Sequence, residues 1–150
     1  MTPSEIDLYC ERTAVGVLNE PLGLSSNIAF LIAAFFLTRF SRQSITSYIL
    51  IAWMSLIGIG SGLFHAFATK VTLLMDVIPI QGFILTTIWV LYSMHLNWKW
   101  WTVFGLMVIC ILVSAELPRD WLNGSAGYLP AWILLILSLI HISEPTRHES

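Results

Sequence analysis

The sequence has few charged residues, with 7 Lys and Arg and 9 Asp and Glu among 150. Its charged fraction of 11% is well below the roughly 25% of a typical soluble domain. The formal net charge is −2 and no run of Lys and Arg occurs, so neither a nucleic-acid partner nor an anionic-lipid patch is expected. A hydrophobic fraction of 57% and a mean hydropathy of +0.79 predict an all-α integral membrane protein with several passes through the bilayer.

Cysteine is also scarce, and the N-terminal segment lacks the pattern of a cleaved signal peptide. Of the two cysteines, Cys10 precedes the first apolar stretch and Cys110 falls inside the fourth, which excludes a disulfide between them. The N-terminus has no basic start followed by a short apolar core. The first apolar stretch is therefore expected to stay in the mature protein. Acidic residues are found before it at Glu5, Asp7, Glu11 and Glu20.

Long apolar stretches dominate the rest of the chain. A helix needs about 20 apolar residues to cross the hydrocarbon core, and by this measure we predict about five transmembrane helices. They run approximately from Leu24 to Phe40, from Ile45 to Phe67, from Val71 to Met94, from Trp100 to Ala115, and onward from Tyr128.

Three polar residues stand out within these apolar stretches. Ser61 and His65 are one helical turn apart at the end of the second stretch, and Asp76 lies just inside the third. Ionisable residues in a bilayer are costly and usually mark functional sites. Residues four apart share a helix face, so Ser61 can approach whatever His65 binds. The alternative is a buried hydrogen-bonded His–Asp pair that only holds two helices together.

The C-terminal segment resembles a sequence of different origin from the rest of the chain. Residues 137–147, LSLIHISEPTR, resemble the translation of a transposase sequencing adapter. We therefore expect residues 137–150 to be an adapter-derived tail and residues 1–136 to be part of a longer natural protein with further spans. If residues 137–150 are such a tail, His141 and His148 do not belong to any metal site of the natural protein. The alternative is a natural polar tail.

Two ordered blocks of residues resemble the alkaline ceramidases, a family of seven-span membrane hydrolases. The first block is DLYCERT at residues 7–13, followed by Glu20-Pro21 and Ser26-Asn27. The second is GSGLFH at residues 60–65, followed by Asp76. The resemblance covers nearly all of residues 5–136. It implies that the chain contains about five helices of a seven-helix bundle.

The resemblance implies a zinc-dependent hydrolase of the amide bond in ceramide-like membrane lipids. In the family, zinc is held by one His of the second span and two of a His-x-x-x-His on the last span. His65 is then the first zinc ligand, with Ser61 and Asp76 as its catalytic neighbours. The two further ligands are missing from this sequence, so the chain is expected to be inactive by itself.

Each of these residues has a chemical role that suits amide hydrolysis. A catalytic zinc usually takes three protein ligands and one water, lowers the pKa of that water and polarises the substrate carbonyl. Asp76 is the expected general base and proton carrier to the leaving amine. Ser61 is the expected hydrogen-bond donor to the bound water or to the developing oxyanion.

The acidic N-terminal residues predict a second metal. Calcium prefers hard carboxylate oxygens brought together by a loop. The resemblance implies such a site with Glu11, Glu20 and Asp7 as ligands. The alternative is a solvated acidic segment ahead of the first span.

Two other functions are compatible with the sequence. One is a non-enzymatic, zinc-containing lipid receptor of the same superfamily. The other is a membrane transporter in which Asp76 relays protons. The sequence does not identify any protein partner, which leaves protein partners unknown.

Overall fold

The structure is a computed structural model that describes residues 6, 11, 19–40, 44–118 and 121–143. These residues form helices and no strand, so the prediction of an all-α fold is confirmed for this part of the chain. The α-helices are α1 (Pro21–Ser26), α2 (Ile28–Phe40), α3 (Ile45–Phe67), α4 (Lys70–Trp89), α5 (Trp100–Glu116) and α6 (Leu129–Ser143). A π-helix (Val90–His95) continues α4, and two 3₁₀ segments (Trp121–Gly124 and Ala126–Tyr128) precede α6.

Among the described residues, three helical stretches are long and apolar enough to cross a membrane. They are Pro21–Phe40, Ile45–Phe67 and Lys70–His95, with 20, 23 and 26 residues. The stretches Trp100–Glu116 and Ala126–His141 are apolar but shorter. Many large apolar side chains of these helices are exposed, as expected for surfaces that contact lipid. Length and composition therefore agree with a membrane protein, and the number of spans stays a prediction.

The first long stretch is two helices joined at Asn27. Pro21 occupies the first turn of α1, where its missing N–H leaves no donor unsatisfied. The Asn27 side chain donates to the carbonyl of Gly23 at 2.8 Å, and the main-chain carbonyl of Asn27 accepts from Phe30 N at 3.2 Å. Asn27 is buried, so these bonds satisfy the polar groups at the junction between α1 and α2.

Helices α3 and α4 are joined by a turn of only two residues. Ser44 caps the start of α3 by accepting from Ser47 N at 3.1 Å. Ala68 follows the helix in the left-handed conformation at φ 46°, and its amide donates to Phe64 O at 2.7 Å. Thr69 Oγ1 then accepts from Thr72 N at 3.2 Å in the first turn of α4. So short a turn makes the helices antiparallel neighbours and brings the end of α3 beside the start of α4.

The chain divides into two compact units, Met1–Phe83 and Ile84–Ser150. In the first unit, α1 and α2 pack along α3, with Phe64 among the fully buried side chains. In the second, Tyr92 donates to Leu134 O at 2.8 Å. The core of the second unit consists of Ile88, Tyr92, Val103, Cys110 and Ala131. The described candidate site residues all belong to the first unit.

Helix α6 continues across the expected boundary at residue 136. It ends at Ser143 and therefore includes the first seven residues of the segment that resembles an adapter sequence. Such an apolar run favours a helix whatever its origin. The division at residue 136 thus stays a prediction.

Candidate functional site

A glycine permits the close approach of α3 and α4. A Cβ atom on Gly60 would overlap the main-chain carbonyl of Met75 and lie 3.2 Å from the amide nitrogen of Asp76. Small residues allow this kind of backbone contact between helices. Because Ser61 follows Gly60 and Asp76 follows Met75, the contact brings these two polar residues together.

Ser61 and Asp76 form a buried polar pair. Their exposed fractions are 8% and 7%, and the Ser61 side chain hydrogen-bonds the Asp76 carboxylate. Within the described part of the chain, Oδ1 of Asp76 is buried without any hydrogen-bond partner. An unpaired buried polar atom costs about 1–3 kcal/mol. Such an atom in a folded protein indicates stored strain, a catalytic role or a missing ligand.

His65 extends this pair toward the start of α1. Its Nδ1 lies 2.5 Å from Oε2 of Glu20, and the side chains of the two residues are 12% and 1% exposed. An ionised carboxylate can only accept a hydrogen bond, so with Glu20 ionised Nδ1 carries a proton and donates a hydrogen bond to Oε2. His65 is also close enough to Asp76 for their charges to interact. The imidazole therefore contacts the carboxylate at the N-cap of α1 and interacts electrostatically with the carboxylate of Asp76 in α4.

The first turn of α1 packs directly against the His65 ring. A Cβ atom on Gly23 would lie 2.6 Å from Nδ1 of His65. The same turn is held by Glu11, whose Oε1 accepts from Leu22 N at 2.7 Å and whose Oε2 accepts from Gly23 N at 3.1 Å. Glu11 thus satisfies two free amides at the start of the helix, and Gly23 provides the room for the imidazole.

The structure places Ser61 and His65 close enough to Asp76 to interact with it, and the catalytic and metal-binding roles of the three residues stay predictions. The two described residues of the predicted calcium site have separate contacts: Glu11 binds the backbone of α1 and Glu20 binds His65. Asp7 lies outside the described residues. Within the described ranges, no three or more His, Cys, Asp and Glu side chains form a group that could hold a metal ion. Zinc and calcium therefore stay predictions.

Sequence reasoning missed the contact between Glu20 and His65. The sequence analysis places Glu20 in a calcium site or in a solvated acidic segment, although the order of the helices contains a signal for its contact with His65. Consecutive helices that run antiparallel place the start of α1, the end of α3 and the start of α4 at the same end of the helix group. Glu20, His65 and Asp76 occupy those three positions.

An apolar groove of about 380 Å³ lies beside the polar pair, between α3 and the first half of α4. Trp53, Leu63 and Leu74 contribute apolar side chains to its walls, and Gly60 and Met75 line it as well. Gly60 and Met75 precede Ser61 and Asp76 in the sequence, but Ser61, His65 and Asp76 are not among the residues that line the groove.

No family model, curated protein or solved structure matches this chain. The resemblance to the alkaline ceramidases therefore rests on the two residue blocks of the sequence. Function has to be argued from the geometry and chemistry of the site.

Proposed function

We propose that this chain carries part of the active site of an integral membrane amidohydrolase that uses zinc to cleave the amide bond of ceramide-like lipids. The observation that carries the proposal is the buried meeting of Ser61, His65 and Asp76, with Oδ1 of Asp76 unpaired in the described part of the chain. Burying these groups among apolar helices is costly, and a catalytic role explains why the cost is borne. The family resemblance supplies the reaction type.

The residues present fit a zinc ligand and its surroundings. Metal-binding histidines usually donate their other ring N–H to a carboxylate, which fixes the tautomer and the ring orientation. His65 has this arrangement through Glu20, so Nε2 is its candidate ligand atom. Bound zinc would acidify a water molecule and polarise the amide carbonyl. The resemblance implies two more ligands on a His-x-x-x-His, a pattern that this sequence does not contain.

Asp76 and Ser61 have different roles in the proposed reaction. Oδ1 of Asp76 has free acceptor capacity, so it can take a proton from the attacking water and deliver it to the leaving amine. The Ser61 hydroxyl orients the carboxylate by their hydrogen bond. When it rotates toward the substrate, the same hydroxyl becomes a donor for the developing oxyanion.

The surroundings of the site support a lipid substrate. Helices α2, α3 and α4 expose large apolar side chains, including Phe35, Ile59 and Ile78. The groove beside Gly60 is wide enough for part of an acyl chain. We propose that the chain is a multi-pass membrane protein, with about five spans of a seven-helix bundle.

Calcium belongs to the proposal as a structural ion near α1. Glu11, Glu20 and Asp7 are its proposed ligands. Each Glu11 oxygen already accepts one main-chain N–H, and a carboxylate oxygen has a second lone pair for a cation. A bound calcium ion would then stabilise the turn that packs against His65.

Replacing Asp76 by Asn tests the proposed chemistry. In the full-length membrane protein we expect D76N to bind zinc like the wild type and to hydrolyse fluorescent ceramide at least about 100-fold more slowly, because the general base is lost. The exposed Glu116 provides the control, since E116Q removes a carboxylate from α5 and should keep full activity. Undiminished hydrolysis by D76N would contradict the role of Asp76.

A wild type that binds zinc without hydrolysis would favour the lipid receptor, and one that binds no zinc would favour the transporter.

A further inference from the structure

We propose that Glu20 is the positioning residue of His65: its buried carboxylate, 2.5 Å from Nδ1, holds the imidazole and leaves Nε2 as the atom that would bind zinc. This inference rests on the proposed function and deepens it. It assigns Glu20 a role that acts through His65, in addition to the calcium role implied by the resemblance.

The local structure of α1 shows that the Glu20 side chain is directed to His65 and not to its own helix. Glu20 occupies the N-cap position, where a side chain commonly binds the free amides of the first turn. Its side chain makes no such capping bond. The amides of Leu22 and Gly23 are satisfied by Glu11. The capping role and the contact with His65 are thus divided between two different carboxylates.

Burial makes the Glu20–His65 contact specific. Glu20 is 1% exposed, and a carboxylate buried to this degree requires polar partners to offset its lost hydration. The imidazole supplies one of them. The contact joins residues 45 positions apart, so it also connects the start of α1 to the end of α3.

Gly23 leaves the space that the imidazole ring of His65 occupies. An added Cβ would lie 2.6 Å from Nδ1, 2.8 Å from Cε1 and 3.0 Å from Cγ of His65, so the ring would have to move. Glu20 therefore holds the ring by a hydrogen bond, and Gly23 allows it to occupy that place. Changes at these two residues perturb the same ring by independent means.

The test is the zinc affinity of the full-length protein, measured by competition with a chelator. Loss of a carboxylate that orients a metal-binding His typically costs about 10- to 100-fold in metal affinity. We expect a loss of this size in E20A, a smaller loss in E20Q, whose amide oxygen can still accept from Nδ1, and a loss in G23A. The matched control is G62A, because a Cβ on Gly62 would meet only Leu24 Cδ1 at an ordinary 3.7 Å.

A second readout separates positioning from a general structural role. Saturating zinc should restore kcat of E20Q toward the wild-type value with an unchanged KM for ceramide, because the catalytic groups Ser61 and Asp76 are intact. Folded protein with wild-type zinc affinity in both E20A and G23A would overturn the inference while leaving the proposed function in place. A wild type that binds no zinc and hydrolyses no ceramide would overturn both.

Discussion

At the residue scale, the most informative group is the carboxylate of Asp76. It is buried, it is bonded to Ser61, and its Oδ1 lacks a partner in the described part of the chain. A residue selected only to lock two helices would be expected to have both oxygens paired. The unpaired oxygen can accept a hydrogen bond from a water molecule or a substrate, as the proposed role of Asp76 requires.

This view makes opposite predictions for the two members of the pair. S61A should lower the free energy of unfolding by about 1–3 kcal/mol, because it leaves more of the buried carboxylate unpaired. D76N should be neutral or stabilising, because it removes a buried charge and keeps the shape of the side chain. Thermal unfolding in detergent measures both.

Ser55 provides the control for this comparison. It lies on α3, is partly buried and donates only to Ile51 O of its own helix at 2.9 Å. S55A should therefore cost less than S61A. A D76N variant that is much less stable than the wild type would contradict the account, since it would show that the carboxylate is needed for packing.

The three polar residues could be found from the sequence, whereas the contact between Glu20 and His65 could not. Ser61, His65 and Asp76 are polar interruptions in apolar stretches, and two of them share a helix face at local spacing. The partner of Glu20 is 45 residues away, and no local pattern reports it. Only the antiparallel order of the helices places their ends together.

At the element scale, helix bounds were predictable where a local signal ends the helix. We predicted a span from about Ile45 to Phe67, and α3 has these limits because Ser44 caps its start and Ala68 turns left-handed after it. The junction at Asn27 was not predicted, since it depends on a side-chain bond to Gly23 O within an apolar run. The π-helix at Val90–His95 likewise has no hydropathy signal.

The packing of α3 against α4 should depend on Gly60. G60A should destabilise the protein by about 1–3 kcal/mol or prevent folding, because the new Cβ would overlap a backbone carbonyl, which cannot move as a flexible side chain does. Its control is G105A in α5, where an added Cβ meets nothing within 4 Å and should stabilise the helix by up to about 1 kcal/mol.

The free energies of unfolding of G60A and G105A, measured in detergent, test this prediction. Equal stability of G60A and the wild type would show that the close approach of the helices is not required. The position of Asp76 beside Ser61 would then need another cause.

At the scale of the whole molecule, the first unit determines how the site is oriented toward a membrane. With 23 residues at about 1.5 Å each, α3 is about 35 Å long, enough to cross a hydrocarbon core of about 30 Å. Its two ends should therefore face opposite sides of the bilayer. Glu20, His65 and Asp76 belong to the end that is joined to α4.

Cysteine labelling of intact vesicles tests this arrangement. In a background without Cys10 and Cys110, single cysteines at Ser44 and Lys70, both at exposed positions, should react with a membrane-impermeant maleimide from opposite sides. The reason is that α3 separates the two positions by the thickness of the bilayer. Labelling of both from the same side would contradict a transmembrane α3.

The measurement that tests the central claim most directly is the zinc content of the purified full-length protein, with and without His65. The account predicts stoichiometric zinc in the wild type and its loss in H65A that still unfolds cooperatively. Absence of zinc from the wild type would contradict the zinc-dependent hydrolase and favour the transporter or a packing role for Ser61, His65 and Asp76. An unchanged zinc content in H65A would contradict the assignment of His65 as a zinc ligand.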